Sequence, residues 1–280
     1  MTLHLEHRTH YTYPAPVFLE PHVFRFRPRQ SAHLRLVDYE LSIDAPLAGR
    51  RRYADAEGNE VDFAWFGALG GGLRLVACAT IEVLAYNPLD FVLYPTAFGH
   101  LPASYAPLQR RALEACLAPL ALDDELVAYA DEVFREVQSD TIQFVTALTR
   151  RLHADFGVVY RELGEPRVPA RTMALREGSC RDLSWLLIGL LRHHGLAARF
   201  TSGYLYFEMD APAYELHAWV EVFLPGCGWL GLDPSHGMVA GHTHVPVAAS
   251  HHYDNTMPIT GTVRGEGPGT MATELRITTG

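Results

Sequence analysis

No stretch of the chain is long and apolar enough to span a bilayer. The richest, residues 183–191, falls well short of the roughly 18 uncharged residues such a segment needs, so no membrane partner is expected. The start, MTLHLEHRTHYTYPAP, alternates apolar and polar residues and lacks the basic start, continuous apolar run and small-residue cleavage site of a secretory signal. Cysteine is sparse, and Cys78, Cys116, Cys180 and Cys227 form no Cys-x-x-Cys pair. They read as free thiols, and the expected compartment is cytoplasmic. Positive charge is short too. Formal net charge is −9, and Arg50-Arg51-Arg52 and Arg150-Arg151 are brief, isolated clusters, which excludes a phosphate-binding surface and a nucleic-acid partner.

What is present is a chain of 280 residues, 48% of them apolar, enough for one large domain or two ordinary ones. Up to about residue 90 the pattern is that of strands: Leu3, Leu5, His7, Thr9, Tyr11 and Tyr13 share one face, and strand-like segments follow at 22–27, 34–43, 60–66 and 73–86, with turn chemistry at EGN and GGG. This predicts an antiparallel β-domain over residues 1–90 and a second unit over 91–280. Residues 87–107, rich in proline and aromatics, read as the crossing segment. Helical stripes follow at DDELVAYADEVFREV, capped by Asp123 or Asp124, and at SDTIQFVTALTRRLHADF. From Gly178 the order is one helix and then the strands LAARFTSGYLYF, ELHAWVEVFL and GWLGLD. The tail after Pro234 reads as loops with one short strand.

The stretch EGSCRDLSWLLIGLLRHHGLAARF places Cys180 in the first turn of the most hydrophobic helix, whose buried stripe is Leu183, Leu186, Leu187, Leu190 and Leu191. Unpaired N–H groups and the positive end of the helix dipole favour a thiolate there and can stabilise an oxyanion. Gly178, lacking a side chain, is expected to leave room for a substrate. A random cysteine is more often a small buried hydrophobe, but a base and an orienting acid follow. His217 lies on the face of its strand opposite the aliphatic Ala218, Val220, Val222 and Leu224, and Asp233 ends the next strand before a proline. A hairpin loop of just Pro225-Gly226-Cys227-Gly228 would set Asp233 across from Val220, on the wrong face. An odd-length loop or a bulge near Gly226 or Gly228 is therefore predicted.

GSCRDLSWLLIGLLRHHGLAARFTSGYL, HAWVEVFLPGCGWLGLDPSHG and the N-terminal HRTHYTYPAPVFLEPHVFRFRPR resemble the bacterial transglutaminase-like family, over nearly the whole chain. The resemblance implies an α+β fold, an N-terminal antiparallel β-domain followed by a papain-like transglutaminase core. It implies Cys180 as nucleophile, His217 as general base and acid, Asp233 as orienting carboxylate, and no cofactor. Where the family usually carries an Arg-Asp-Tyr run, this chain departs with His251-His252-Tyr253-Asp254.

Two residues are candidates for substrate binding: Trp219, which shares a face with His217 and is equally suited to core packing, and Tyr204, by family position. Arg181 and Asp182 read as a solvent-facing pair. The tail histidines His242, His244, His251 and His252 lack the spacing of a zinc site, so no metal is expected. The leading function is a cysteine acyl-transfer enzyme acting on a protein or peptide carboxamide or peptide carbonyl, with water or an amine resolving the thioester. An arylamine acetyltransferase ranks low, because Arg176-Glu177-Gly178-Ser179-Cys180 departs from the expected Arg-Gly-Gly run. The alternative from a different class is a catalytically silent protein-binding module. Oligomeric state is not readable.

Overall fold

Alternation of apolar and polar residues makes the first strand, and burial follows it: Leu3, Leu5, His7 and Thr9 point inward. The computed structural model describes residues 1–161, 164–207 and 214–280. Six strands open the chain: β1 (Thr2–Leu19), β2 (His22–Phe24), β3 (Leu34–Asp44), β4 (Leu47–Ala54), β5 (Glu60–Phe66) and β6 (Gly70–Val83). β1, β6 and β3 form one antiparallel sheet and β2, β5 and β4 another. Val17, Leu19 and Leu73 from the first meet Phe24, Ala64 and Phe66 from the second in a shared core. β4 was not predicted. Its Arg50-Arg51-Arg52 run has no apolar alternation, and it is held by pairing with β5 and by Arg52 Nε, 3.2 Å from the buried Asp62 carboxylate.

Short helices α1 (Pro107–Ala112) and α2 (Glu114–Leu117) lead into α3 (Asp124–Glu136) and α4 (Thr141–Asp155). Asp123 and Asp140 cap α3 and α4, accepting N–H groups from Leu126 and Gln143. Then come β7 (Gly157–Val158), α5 (Pro169–Leu175), β8 (Glu177–Gly178) and α6 (Cys180–His193). α6 is buried almost all round, Ser184, Trp185 and Ile188 included, because helices cover one side and a sheet the other. That sheet comprises β9 (Ala198–Leu205), β10 (Leu216–Leu224), β11 (Gly228–Asp233), β12 (Met238–Val239) and β13 (His244–Ser250), in the order β12-β11-β10-β9-β13.

The tail differs from its sequence expectation. After β13 the chain returns to the N-terminal sheets: β14 (Ile259–Thr260) pairs with β2, β15 (Val263–Arg264) with the end of β1, and β16 (Thr270–Thr279) with its start. Of β16 only Leu275 and Ile277 are buried, so its sequence carries little periodicity. Both pack with Leu3, Leu5, Ile81, Tyr204, Val245 and Val247, a core shared by the N-terminal β-sheet and the β9–β13 sheet. The EGN turn docks beside it. The buried Asn59 amide accepts from Ala249 N at 2.9 Å and donates to Ala249 O at 3.0 Å, and Glu57 accepts from His251.

Candidate active site

Cys180 is the first residue of α6, half-buried, with a free thiol. Its position is fixed from both sides. Asp182 folds back on the helix start and accepts the Ser179 N–H at 2.8 Å and hydroxyl at 2.9 Å. One turn on, the buried Ser184 hydroxyl donates to Ala218 O at 3.2 Å, tying α6 to the residue next to His217.

The sequence reading of Asp182 as solvent-facing is overturned, for the residue is fully buried. Arg161 donates to its two oxygens at 2.6 and 2.8 Å and Arg167 N donates at 2.7 Å. Burial pushes this carboxyl up, but Arg161, the Arg167 amide and Ser179 together hold it below its ordinary range. Arg181 turns away to donate to Arg161 O. Gly178 is also reassigned: a Cβ there would lie 2.8 Å from Asp182 Cβ, so the missing side chain accommodates Asp182. Asp182 thus ties Arg161 and Arg167 to the helix start.

The β10–β11 hairpin has an odd-length loop, one of the two forms, loop or bulge, that the register argument allows. Leu224 faces Gly228 across Pro225, Gly226 and Cys227, and the pairing runs to Val220 opposite Leu232. Continued by one step, it sets Asp233 across from Trp219, on the face of His217. Gly226 at φ +95° and Gly228 at φ +85° provide the left-handed backbone the turn demands. His217 Nε2 lies 2.8 Å from Asp233 Oδ2. Burial disfavours charge on the ring, but the attraction and hydrogen bond of Asp233, together with a hydrogen bond to Cys180, raise its pKa from 6.5 to about 10. With Nε2 on the carboxylate, Nδ1 is the nitrogen left for the thiol. The fully buried Asp233 carboxyl is held well below its ordinary range because burial is outweighed by His217, His236 and His244.

Two of these partners were missed in the sequence. His236 Nδ1 lies 2.8 Å and His244 Nε2 3.1 Å from the same Oδ2, while Oδ1 accepts the N–H groups of Ser235 and His236. His244 was read as a loop histidine. It opens β13 and is buried, and its pKa is pushed down by burial against the opposing pull of Asp233. His236 follows Asp233 by three residues and is exposed.

Trp219 is 2% exposed, its ring centroid 6.0 Å from that of His217 and 5.2 Å from that of His244, so it backs the imidazoles as packing. Tyr204 does not line the site. It pairs with Leu216 while His217 pairs with Gly203, so it faces the other way, and its hydroxyl meets His7 in the core shared with the N-terminal sheet. In the departing tail segment Tyr253 meets Trp185 of α6 edge to face and donates to Glu165, and His251 bonds Glu57. Among the described residues two groups bring donor atoms close enough for a metal ion: His217, Asp233 and His236, and, at the far end of α6, Asp131, His193 and His194.

Residues 3–82 match the family described as bacterial transglutaminase-like N-terminal region, and residues 127–234 the transglutaminase-like superfamily core. The chain belongs to the transglutaminase-like superfamily, joining the bacterial N-terminal β-region to the core. An uncharacterised protein of Mycobacterium tuberculosis is 26% identical over 275 residues, covering 92% of this chain and 86% of the relative. The protein-glutamine gamma-glutamyltransferase of Pseudomonas aeruginosa is 29% identical over 119 residues, which is 39% of this chain and 18% of that one. A candidate cysteine protease from Cytophaga hutchinsonii, 17% identical, superposes over all of this chain and 91% of its own with a TM-score of 0.74, which shows a shared fold.

Proposed function

We propose that the protein is a cysteine-dependent acyl-transfer enzyme acting on the carboxamide or peptide carbonyl of a protein or peptide. The observation that carries this is the imidazole of His217, bonded at 2.8 Å to a buried carboxylate and held protonated by that carboxylate and by the neighbouring Cys180. The Cys180 thiolate attacks the carbonyl, whose oxygen gathers charge beside the positive end of the α6 dipole. His217 hands its proton to the departing amine as the C–N bond breaks, leaving a thioester on Cys180. Water or an amine then attacks, His217 takes its proton, and the thiolate leaves with a carboxylic acid or a new amide as product.

Water makes the protein an amidase or peptidase, and an amine makes it a transglutaminase. All 23 basic residues apart from histidine are arginine, so the chain offers no lysine amine of its own as acceptor. The four free cysteines keep the cytoplasm as the proposed compartment.

The test is incubation with glutamine-containing peptides, with and without a primary amine probe. Ammonia release and a peptide adduct on Cys180 that mass spectrometry locates, both absent in Cys180→Ser, are expected. Probe incorporation identifies an amine acceptor, and conversion of the peptide's glutamine to a glutamate residue identifies water. A folded protein that yields neither ammonia nor adduct would contradict the proposal and favour a binding module.

A further inference from the structure

The Asp233 carboxylate has more partners than an orienting acid needs. Oδ2 alone faces three imidazole nitrogens, at 2.8, 2.8 and 3.1 Å, and Oδ1 holds two backbone N–H groups. A carboxylate oxygen has two in-plane lone pairs, so three ring donors overfill it. Of these partners His244 and Ser235 are buried, whereas His236 is open to solvent. The ligand atoms of His217, Asp233 and His236 all lie within 4.8 Å of one another.

We infer that His217 Nε2, Asp233 Oδ2 and His236 Nδ1 form a reversible, inhibitory site for a divalent cation of the zinc class. Two imidazole nitrogens and one carboxylate oxygen match the donors such ions prefer, with water completing a tetrahedron. On binding, each coordinating ring nitrogen gives up its proton, to solvent or to the other nitrogen of its ring, and two metal–nitrogen bonds and one metal–oxygen bond form. The ion keeps its oxidation state. With Nε2 on the metal, His217 loses its hydrogen bond to Asp233 and can no longer cycle a proton for Cys180. The inhibitory consequence rests on the function proposed above, whereas the binding site does not.

The experiment uses the full chain carrying Cys180→Ala, which removes the thiolate as a ligand, titrated calorimetrically with zinc chloride. A site of one ion per chain is expected, at least tenfold weaker in Cys180→Ala/His236→Phe and unchanged in Cys180→Ala/Asp131→Asn, which disables the other histidine cluster. Equal affinity with and without His236 overturns the site. In the wild-type chain, zinc is expected to slow alkylation of Cys180, and His236→Phe to raise the zinc needed at least tenfold. Equal slowing in both would put the ion on the Cys180 thiolate and overturn the inhibitory role. Failure of the proposed function itself would show separately, as an ordinary thiol profile for Cys180 without metal.

Discussion

Asp182 stands two residues after the candidate nucleophile, and its neighbour Arg181 made it look like half of a surface pair. Its true partner, Arg161, is 21 residues away, and no local pattern announces it. Asp182→Asn leaves the Arg161 guanidinium without its anion. Because Arg161 is partly exposed, the expected loss is about 2–3 kcal/mol, below the range for a fully buried pair. The difference in urea midpoint between variant and wild type measures it. The folded-state pKa of Asp182 is depressed, so this contribution is present above the unfolded value, about 4, and is lost as pH falls through the folded one. The gap between the two proteins therefore closes in acid. His217 has the opposite sign: its contribution is complete below about pH 6.5 and is lost as pH rises through about 10. Cys180, His217 and Asp233 were legible because a helix start, a strand face and a strand end are local patterns. His236 and His244 were not, since their role is defined by one oxygen of Asp233.

At the scale of elements, the β10–β11 hairpin shows how far parity arguments reach. Strand alternation sets the face of His217, and the demand that Asp233 share it leaves an odd-length loop or a bulge; the hairpin takes the first, with three loop residues. Gly226 combines φ +95° with close approach to the Val92 carbonyl on the crossing segment, so the turn is held from outside. Gly226→Val is expected to cost roughly 1–3 kcal/mol in backbone strain alone, more with the collision, and to lower the alkylation rate of Cys180 as Asp233 shifts. A thermal melt paired with the labelling rate checks it; an unchanged melting temperature would contradict it. β4 and β16, two strands that the sequence pattern does not show, are polar, and their place is set by their partners.

For the whole molecule, the division near residue 90 captured the change of composition but not the return of the tail. β16 adds its edge to β1, so the N-terminal β-unit is completed by the last residues of the chain. Pairing across such a separation leaves no trace in a window of sequence. Asn59, at the EGN turn, is a polar link between the N-terminal unit and β13. Asn59→Ala leaves both the N–H and the carbonyl of Ala249 unpaired and is expected to cost about 1–3 kcal/mol, read from urea unfolding, with faster proteolysis of the β13 segment. An intact interface keeps the core sheet, and with it His217, in place behind Cys180. The central claim is an activated thiolate–imidazolium pair, and it is tested most directly by the rate of iodoacetamide labelling at Cys180 across pH, in wild type and His217→Ala, with the site located by mass spectrometry. The account predicts fast labelling that persists well below the free-cysteine pKa of about 8.5 and slows sharply without His217. An ordinary thiol profile, the same with and without His217, would contradict it.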